Sequence, residues 1–144
     1  MNYQAVIIQL PLVKESRGER VRTPEDVARV CSDLRNLAQE TFQVLSVDAK
    51  NNLLDRHVVT IGLVDASLVH PREVFRRAVE TNASALILIH NHPSGDPTPS
   101  AEDIRVTKQL TEAGRIMDLK VLDHVILGAA NRHISMRESG LVEF

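Results

Sequence analysis

Apolar positions along the chain change their period several times, and each change marks an element. Residues 3 to 13 alternate and then run apolar, predicting a first strand, and the charged stretch from Lys14 to Arg22 predicts a loop. Thr23 opens Thr-Pro-Glu-Asp, a capping residue followed by proline and acids in the first turn, so a helix is expected to start there. Val27, Val30, Cys31, Leu34 and Leu37 recur at three and four, giving that helix one apolar stripe to about Ala38. From Thr41 to Asp48 the period shortens through Phe42, Val44 and Val47; the polar group Asp48 to Asn52 reads as a turn, and Leu53 to Leu63 as the second arm of a hairpin.

Pro71 opens a second helix with Val74, Phe75, Ala78 and Val79 on one side, closed by Thr81 and Asn82. Residues 85 to 89, ALILI, are almost wholly apolar, the composition of a central strand covered on both faces. At His90 this run gives way to NHPSGDPTP, whose prolines and glycine predict a stiff irregular loop. Ser100 is the expected N-cap of a third helix carrying Ile104, Leu110 and Ala113, with Gly114 as its stop. Leu119 to Leu127 predicts another buried strand, Gly128 to Arg132 a turn, and a short strand follows. Strands alternating with helices imply an α/β sandwich, with the loop from His90 to Ser100 at the carboxyl end of a central strand, where open α/β sheets keep their sites.

Composition narrows the partners more than the fold. The 144 residues suit one domain, 1–144, and 43% hydrophobic with 25% charged residues is ordinary for a globular chain. A net charge of −2 and 3% aromatic residues do not favour nucleic acid, which calls for a basic surplus and stacking rings. Arg72, Arg76 and Arg77 form the best local basic cluster and read as a solvated helix face. Cys31 is the single cysteine, so the chain offers no internal disulfide and no thiolate-rich zinc knuckle; it reads as a small buried hydrophobe in a cytoplasmic protein. The N-terminal apolar run lacks the flanks of a signal peptide, and no stretch is long enough for a membrane span.

Ionisable groups at the end of a buried strand need a reason. His90 and His92, followed by Asp103 in the first turn of the next helix, offer two imidazoles and a carboxylate, a zinc-ligand set that leaves a fourth tetrahedral position for water. Prolines 93, 97 and 99 stiffen the intervening loop, and Gly95 permits its tight bend. The competing reading needs no metal: Ser100 and Asp103 also have the spacing of a capping box, with Asp in place of Glu or Gln.

The segment HNHPSGDPTPSAED, residues 90 to 103, resembles the JAMM signature, and more closely RadC-type JAB domains. The likeness extends to ETFQVLSVDAKNNLL at 40 to 54, to 70 to 100 and to VLDHVIL at 121 to 127, most of the chain after about residue 23. It implies a mixed β-sheet sandwiched by helices, the JAB/MPN (cytidine-deaminase-like) architecture. It further implies His90, His92 and Asp103 as zinc ligands, Ser100 as helper to the oxyanion and Glu40 as general base, in a metallopeptidase or isopeptidase acting on a peptide or protein. From its residues alone, Glu40 reads only as an acid between a helix end and a strand.

A second reading, in a different class, is an accessory module in DNA repair or mobile-element metabolism. Longer proteins of the RadC type carry an N-terminal helix-hairpin-helix region, for which this chain has no room before its first expected strand. Zinc nucleobase deaminases are set aside, since they need a Glu two residues after the ligand His and a Pro-Cys-x-x-Cys segment. The letters His-Asn-His do not make an HNH nuclease, whose residues are spread over a ββα unit. His124, beside Asp123, is a candidate to orient a ligand; His70, before Pro71, reads as a loop or helix-entry residue, and His57 and His133 as surface groups.

Overall fold

A computed structural model describes residues 19–65 and 67–144, so the strand expected at 3 to 13 lies outside the described residues. Among the described residues the sheet has five strands in the order β2-β1-β3-β4-β5. They are β1 (Thr41–Val47), β2 (Leu53–Ile61), β3 (Ala85–Asn91), β4 (Lys120–Leu127) and β5 (His133–Ser135). β1 runs antiparallel to β2 and to β3, β3 parallel to β4, and β4 antiparallel to β5. The parallel pair is joined by α3 (Ala101–Met117), while α1 (Pro24–Val30) and α2 (Pro71–Glu80) complete a mixed α/β architecture of the expected kind.

Alternation along the strands builds two apolar layers. Leu45, Val47, Ile87, Ile89, Val125 and Leu127 meet α1 through Val27, Ala28, Cys31 and Leu34. Phe42, Val44, Leu86 and Leu88 meet Val74, Phe75 and Ala78 of α2 and Val106 and Leu110 of α3 on the other face. The central strand is buried at every position, which explains why residues 85 to 89 are nearly all apolar.

The first helix is shorter than its apolar stripe suggests. α1 ends at Val30 and a 3₁₀ turn spans Ser32–Asn36, with the Leu34 amide bonded to the Cys31 carbonyl at 3.0 Å. The cause is distant in sequence. Arg56 on β2 grips both oxygens of Asp33 at 3.0 and 2.8 Å and donates to the Val30 carbonyl at 3.3 Å, drawing the chain out of α-helical register. Gly114 does not stop α3: the helix runs on to Met117 and Asp118 caps it in the left-handed conformation, φ 57°. β2 stops at Ile61, ahead of Gly62 at φ 111°, and Val79, expected on the buried side of α2, is exposed.

One irregularity matters for the site. Leu86 pairs with Val121, but Leu88 pairs with His124, so β4 spends three residues where β3 spends two. This bulge turns His124 to the same face as Val121, the face that α3 covers, and sets it beside His90. Among the described residues no helix is long and apolar enough to cross a membrane.

Candidate metal centre

His90 is the last even-numbered position of β3, so alternation sends its side chain with Leu86 and Leu88 toward α3. His92 lies two residues on and returns to the same side. Its amide, donating to the Leu127 carbonyl at 2.9 Å, holds the chain against β4 as it leaves the strand. Asp103 is the third residue of α3. The Ser100 hydroxyl accepts its amide at 3.0 Å, and its carboxylate accepts the Ser100 amide at 2.8 Å. The capping box is therefore real and does not compete with the metal reading, because it fixes the carboxylate that faces the two histidines.

Between helix and strand, the loop is pinned from behind. The Gly95 carbonyl accepts the Ala129 amide at 2.9 Å and the Arg132 guanidinium at 2.6 Å. A Cβ on Gly128 would come within 2.4 Å of that carbonyl oxygen, so glycine is needed for the turn to lie so close.

His90 Nε2 lies 2.9 Å from His92 Nε2 and 3.3 Å from Asp103 Oδ1, and His92 Nε2 is 3.1 Å from Asp103 Oδ2. Zinc bonds of about 2.0–2.2 Å at tetrahedral angles separate neighbouring ligand atoms by about 3.3–3.6 Å. His90 meets Oδ1 and His92 meets Oδ2, so the carboxylate spans the two rings, and the three groups suit such an ion once the nitrogens part slightly and one carboxylate oxygen turns to it. Donor chemistry agrees. His92 Nδ1 sits 2.9 Å from the Asp96 carbonyl, which can only accept, so the ring hydrogen is on Nδ1 and Nε2 turns its lone pair inward. An inward lone pair beside a carboxylate calls for a cation. Access is graded: the His90 side chain is 0% exposed, Asp103 4% and His92 12%, so the site opens on the His92 side.

Electrostatics follow the same geometry. Burial pushes Asp103 up, but contacts with His90 and His92 and the Ser100 amide outweigh it and hold the carboxyl well below the usual range. Burial pushes His92 down; the Asp103 carboxylate, the Asp96 carbonyl and the Glu40 charge outweigh it, leaving the imidazole above its ordinary value. His124, fully buried, is held far below its ordinary value by desolvation and by the neighbouring His90.

Of the other expected residues, Glu40 immediately precedes β1, half-buried, with one carboxylate oxygen accepting the Val64 amide at 3.2 Å and its charge felt by His92. It is not one of the three converging groups. Ser100 is exposed at the mouth of α3, and because its oxygen accepts the Asp103 amide, its hydrogen remains free. His70 opens α2 as its N-cap residue. His57 and His133 are not surface groups: the rings are half-buried, His57 Nε2 donates to the Glu73 carbonyl at 3.1 Å, and His133 lies 3.6 Å from Glu25 of α1. Each stands on a strand face that a helix covers.

Two residues beside the site, Asn91 and Thr107, are not among those the sequence points to. Asn91, between the histidines, points to the opposite face by alternation and brackets Glu40, accepting the Thr41 amide at 2.8 Å and donating to the Gln39 carbonyl at 3.0 Å. Thr107 lies one helical turn after Asp103, buried, at a position the apolar stripe would otherwise fill. A polar residue on a buried face was the available signal in both cases.

Comparison with known proteins places this geometry. The RadC-like JAB domain family matches residues 21–141. A UPF0758 protein of Caldanaerobacter subterraneus subsp. tengcongensis is 48% identical over 143 residues, 97% of this chain and 61% of its own length. One from Desulfitobacterium hafniense is 48% identical over 123 residues, covering 85% of this chain and 54% of its own. A third, from Geobacillus thermodenitrificans, is 50% identical over 123 residues with the same two coverages, 85% and 54%. The chain thus spans little more than half the length of these relatives. With the match running from Val21 through the converging histidines to Leu141, the chain belongs to the RadC-like JAB domain family.

Proposed function

We propose that the chain is a zinc-dependent metallopeptidase or isopeptidase that hydrolyses an amide bond in a peptide or protein. The observation that carries this reading is the convergence of His90 Nε2, His92 Nε2 and the Asp103 carboxylate within 4.8 Å of one another at the end of the central strand. Three protein ligands are the number found in catalytic zinc sites; closed structural sites use four. Zinc, when bound by these three residues, would supply a Lewis acid that polarises the scissile carbonyl and lets water lose its proton near neutral pH, so that hydroxide can attack.

Glu40 takes the proton from the attacking water and returns it to the nitrogen, so that the amine leaves neutral. Its tether to the Val64 amide at 3.2 Å holds one oxygen and leaves the other for this task. Ser100 gives its free hydroxyl hydrogen to the oxygen on which negative charge develops. Asp103 does two jobs with one carboxylate, holding the first turn of α3 and closing the ligand triangle.

Elemental analysis after loading with zinc tests the reading. One zinc per chain is expected in the wild type, with loss on His92→Ala. A wild type that takes up no zinc contradicts it, and would leave the accessory DNA-metabolism module as the better reading.

A further inference from the structure

His90 has a second face, turned away from the pocket and fully enclosed. Its Nδ1 lies 2.7 Å from His124 Nε2, and His124 Nδ1 lies 2.5 Å from Thr107 Oγ1. Thr107 Oγ1 in turn lies 2.7 Å from the Asp103 carbonyl. His90, His124 and Thr107 are all 0% exposed, so no bulk water enters this row.

Hydrogen accounting along the row gives it a direction. The Asp103 carbonyl, beside its helical hydrogen bond, and the Met136 sulfur lie 2.7 and 3.3 Å from Thr107 Oγ1 and can only accept, so the single hydroxyl hydrogen goes to the nearer and stronger acceptor, the carbonyl. Thr107 must then accept from His124, whose ring hydrogen is on Nδ1. A neutral imidazole carries one such hydrogen, so His124 Nε2 is an acceptor and His90 Nδ1 its donor. His90 Nε2 is thereby left with a lone pair directed at His92 and Asp103. In the opposite order Thr107 would donate to His124, and a hydrogen would fall on His90 Nε2, where it blocks coordination. The Asp103 carbonyl would also lose its hydroxyl partner.

We propose that His124 and Thr107 are a tautomer-setting pair: anchored on the Asp103 carbonyl, they hold His90 as the Nδ1–H tautomer with Nε2 presented for metal binding. The proposal rests on the zinc reading above and adds two positioning residues to it. The two imidazoles are then set by different devices. His92 uses the Asp96 carbonyl directly, at the open side of the site, whereas His90, too deep to reach a loop carbonyl, uses a two-residue relay. The relay begins and ends on the third ligand, because Thr107 is one turn from Asp103 on α3. Ligand orientation by such partners accounts for about 10–100-fold in metal affinity.

The test uses the full chain labelled with ¹⁵N-histidine. Long-range ¹H–¹⁵N spectra of the zinc-loaded protein report which ring nitrogen carries hydrogen, and competition with a chromophoric chelator gives zinc affinity. Expected are Nδ1–H on both His90 and His124, and zinc binding weakened about 10–100-fold by Thr107→Val. Thr107→Ser, which keeps the hydroxyl, restores it. Thr111→Val is the packing control, since that hydroxyl serves only the helix through the Lys108 carbonyl at 2.8 Å; it leaves zinc affinity unchanged. Hydrogen on His124 Nε2, or wild-type zinc affinity in Thr107→Val, overturns the proposal. A wild type unable to bind zinc overturns it together with the proposed function. Full zinc uptake without hydrolysis contradicts the function alone, and the tautomers still decide the relay.

Discussion

The Asn91 side-chain carbonyl accepts the Thr41 amide at 2.8 Å, while its amide group donates to the Gln39 carbonyl at 3.0 Å. One side chain therefore holds the backbone on both sides of Glu40, and it stands between the two histidines that face the metal pocket. Thr41 extends the clamp through Gln43 to Arg56 and Asp33, with contacts of 3.1, 2.8 and 2.8 Å. Glu40 and the converging histidines are thus tied to adjacent residues of β3, one on each face of the strand.

Removing that clamp leaves the buried Thr41 amide without its partner. Asn91→Leu is expected to cost about 2–3 kcal/mol of stability, read by denaturant unfolding. Zinc content should survive, since neither His90 nor His92 is altered, but hydrolysis should fall through kcat as Glu40 loses its position. Unchanged kcat with lowered stability would show that Asn91 serves the fold and not the base.

The metal-free protein should respond to pH through His92 and Asp103. His92 lies above its ordinary 6.5, so its contribution is complete below about pH 6.5 and is lost as pH rises through the elevated value. Asp103 lies below its ordinary 3.8, so its contribution is complete above about pH 4 and is lost as pH falls. The stability difference between metal-free wild type and His92→Gln should therefore shrink from pH 6 to pH 8. Over the same range the stabilisation conferred by zinc should grow, because zinc competes with the proton on His92. Thermal melting with and without zinc reads both trends.

Gly114 reverses a usual rule. Glycine in the middle of a helix normally costs about 0.5–1 kcal/mol relative to alanine, but here a Cβ would fall 2.4 Å from the Leu119 carbonyl oxygen and 3.3 Å from the Val121 side chain. Gly114→Ala should destabilise the protein, where an open helical position would gain. Calorimetry gives the sign.

Cys31 is enclosed between α1 and the sheet, and burial pushes its thiol up to about 12. At pH 8 a thiol-specific reagent should leave the folded protein unmodified and react fully once it is denatured.

Legibility in the sequence followed the range of the forces involved. The buried run Ala85 to Ile89, the turn between Asp48 and Asn52 and the capping box at Ser100 are local, and the structure has each where the pattern puts it. His90 and His92 were readable as a pair because two residues return a strand to the same face, and Asp103 because it falls in the first turn of the next helix. The break after Val30 was not readable, since it is made by Arg56 from β2. His124 was readable only as a candidate to orient a ligand: a three-residue step in β4 against two in β3 decides which way it faces and sets it beside His90, and register of that kind is set by packing. Asn91 and Gln39 are 52 positions apart, and no local pattern connects them.

Whether the proposed site hydrolyses amides with Glu40 as the base is decided by a panel of peptide and isopeptide-linked substrates, offered in parallel to zinc-loaded wild type and Glu40→Ala. Cleavage by the wild type, lost in Glu40→Ala although both proteins hold one zinc and melt alike, is the predicted result. Cleavage at the same rate by both, or by neither at full zinc occupancy, would contradict it.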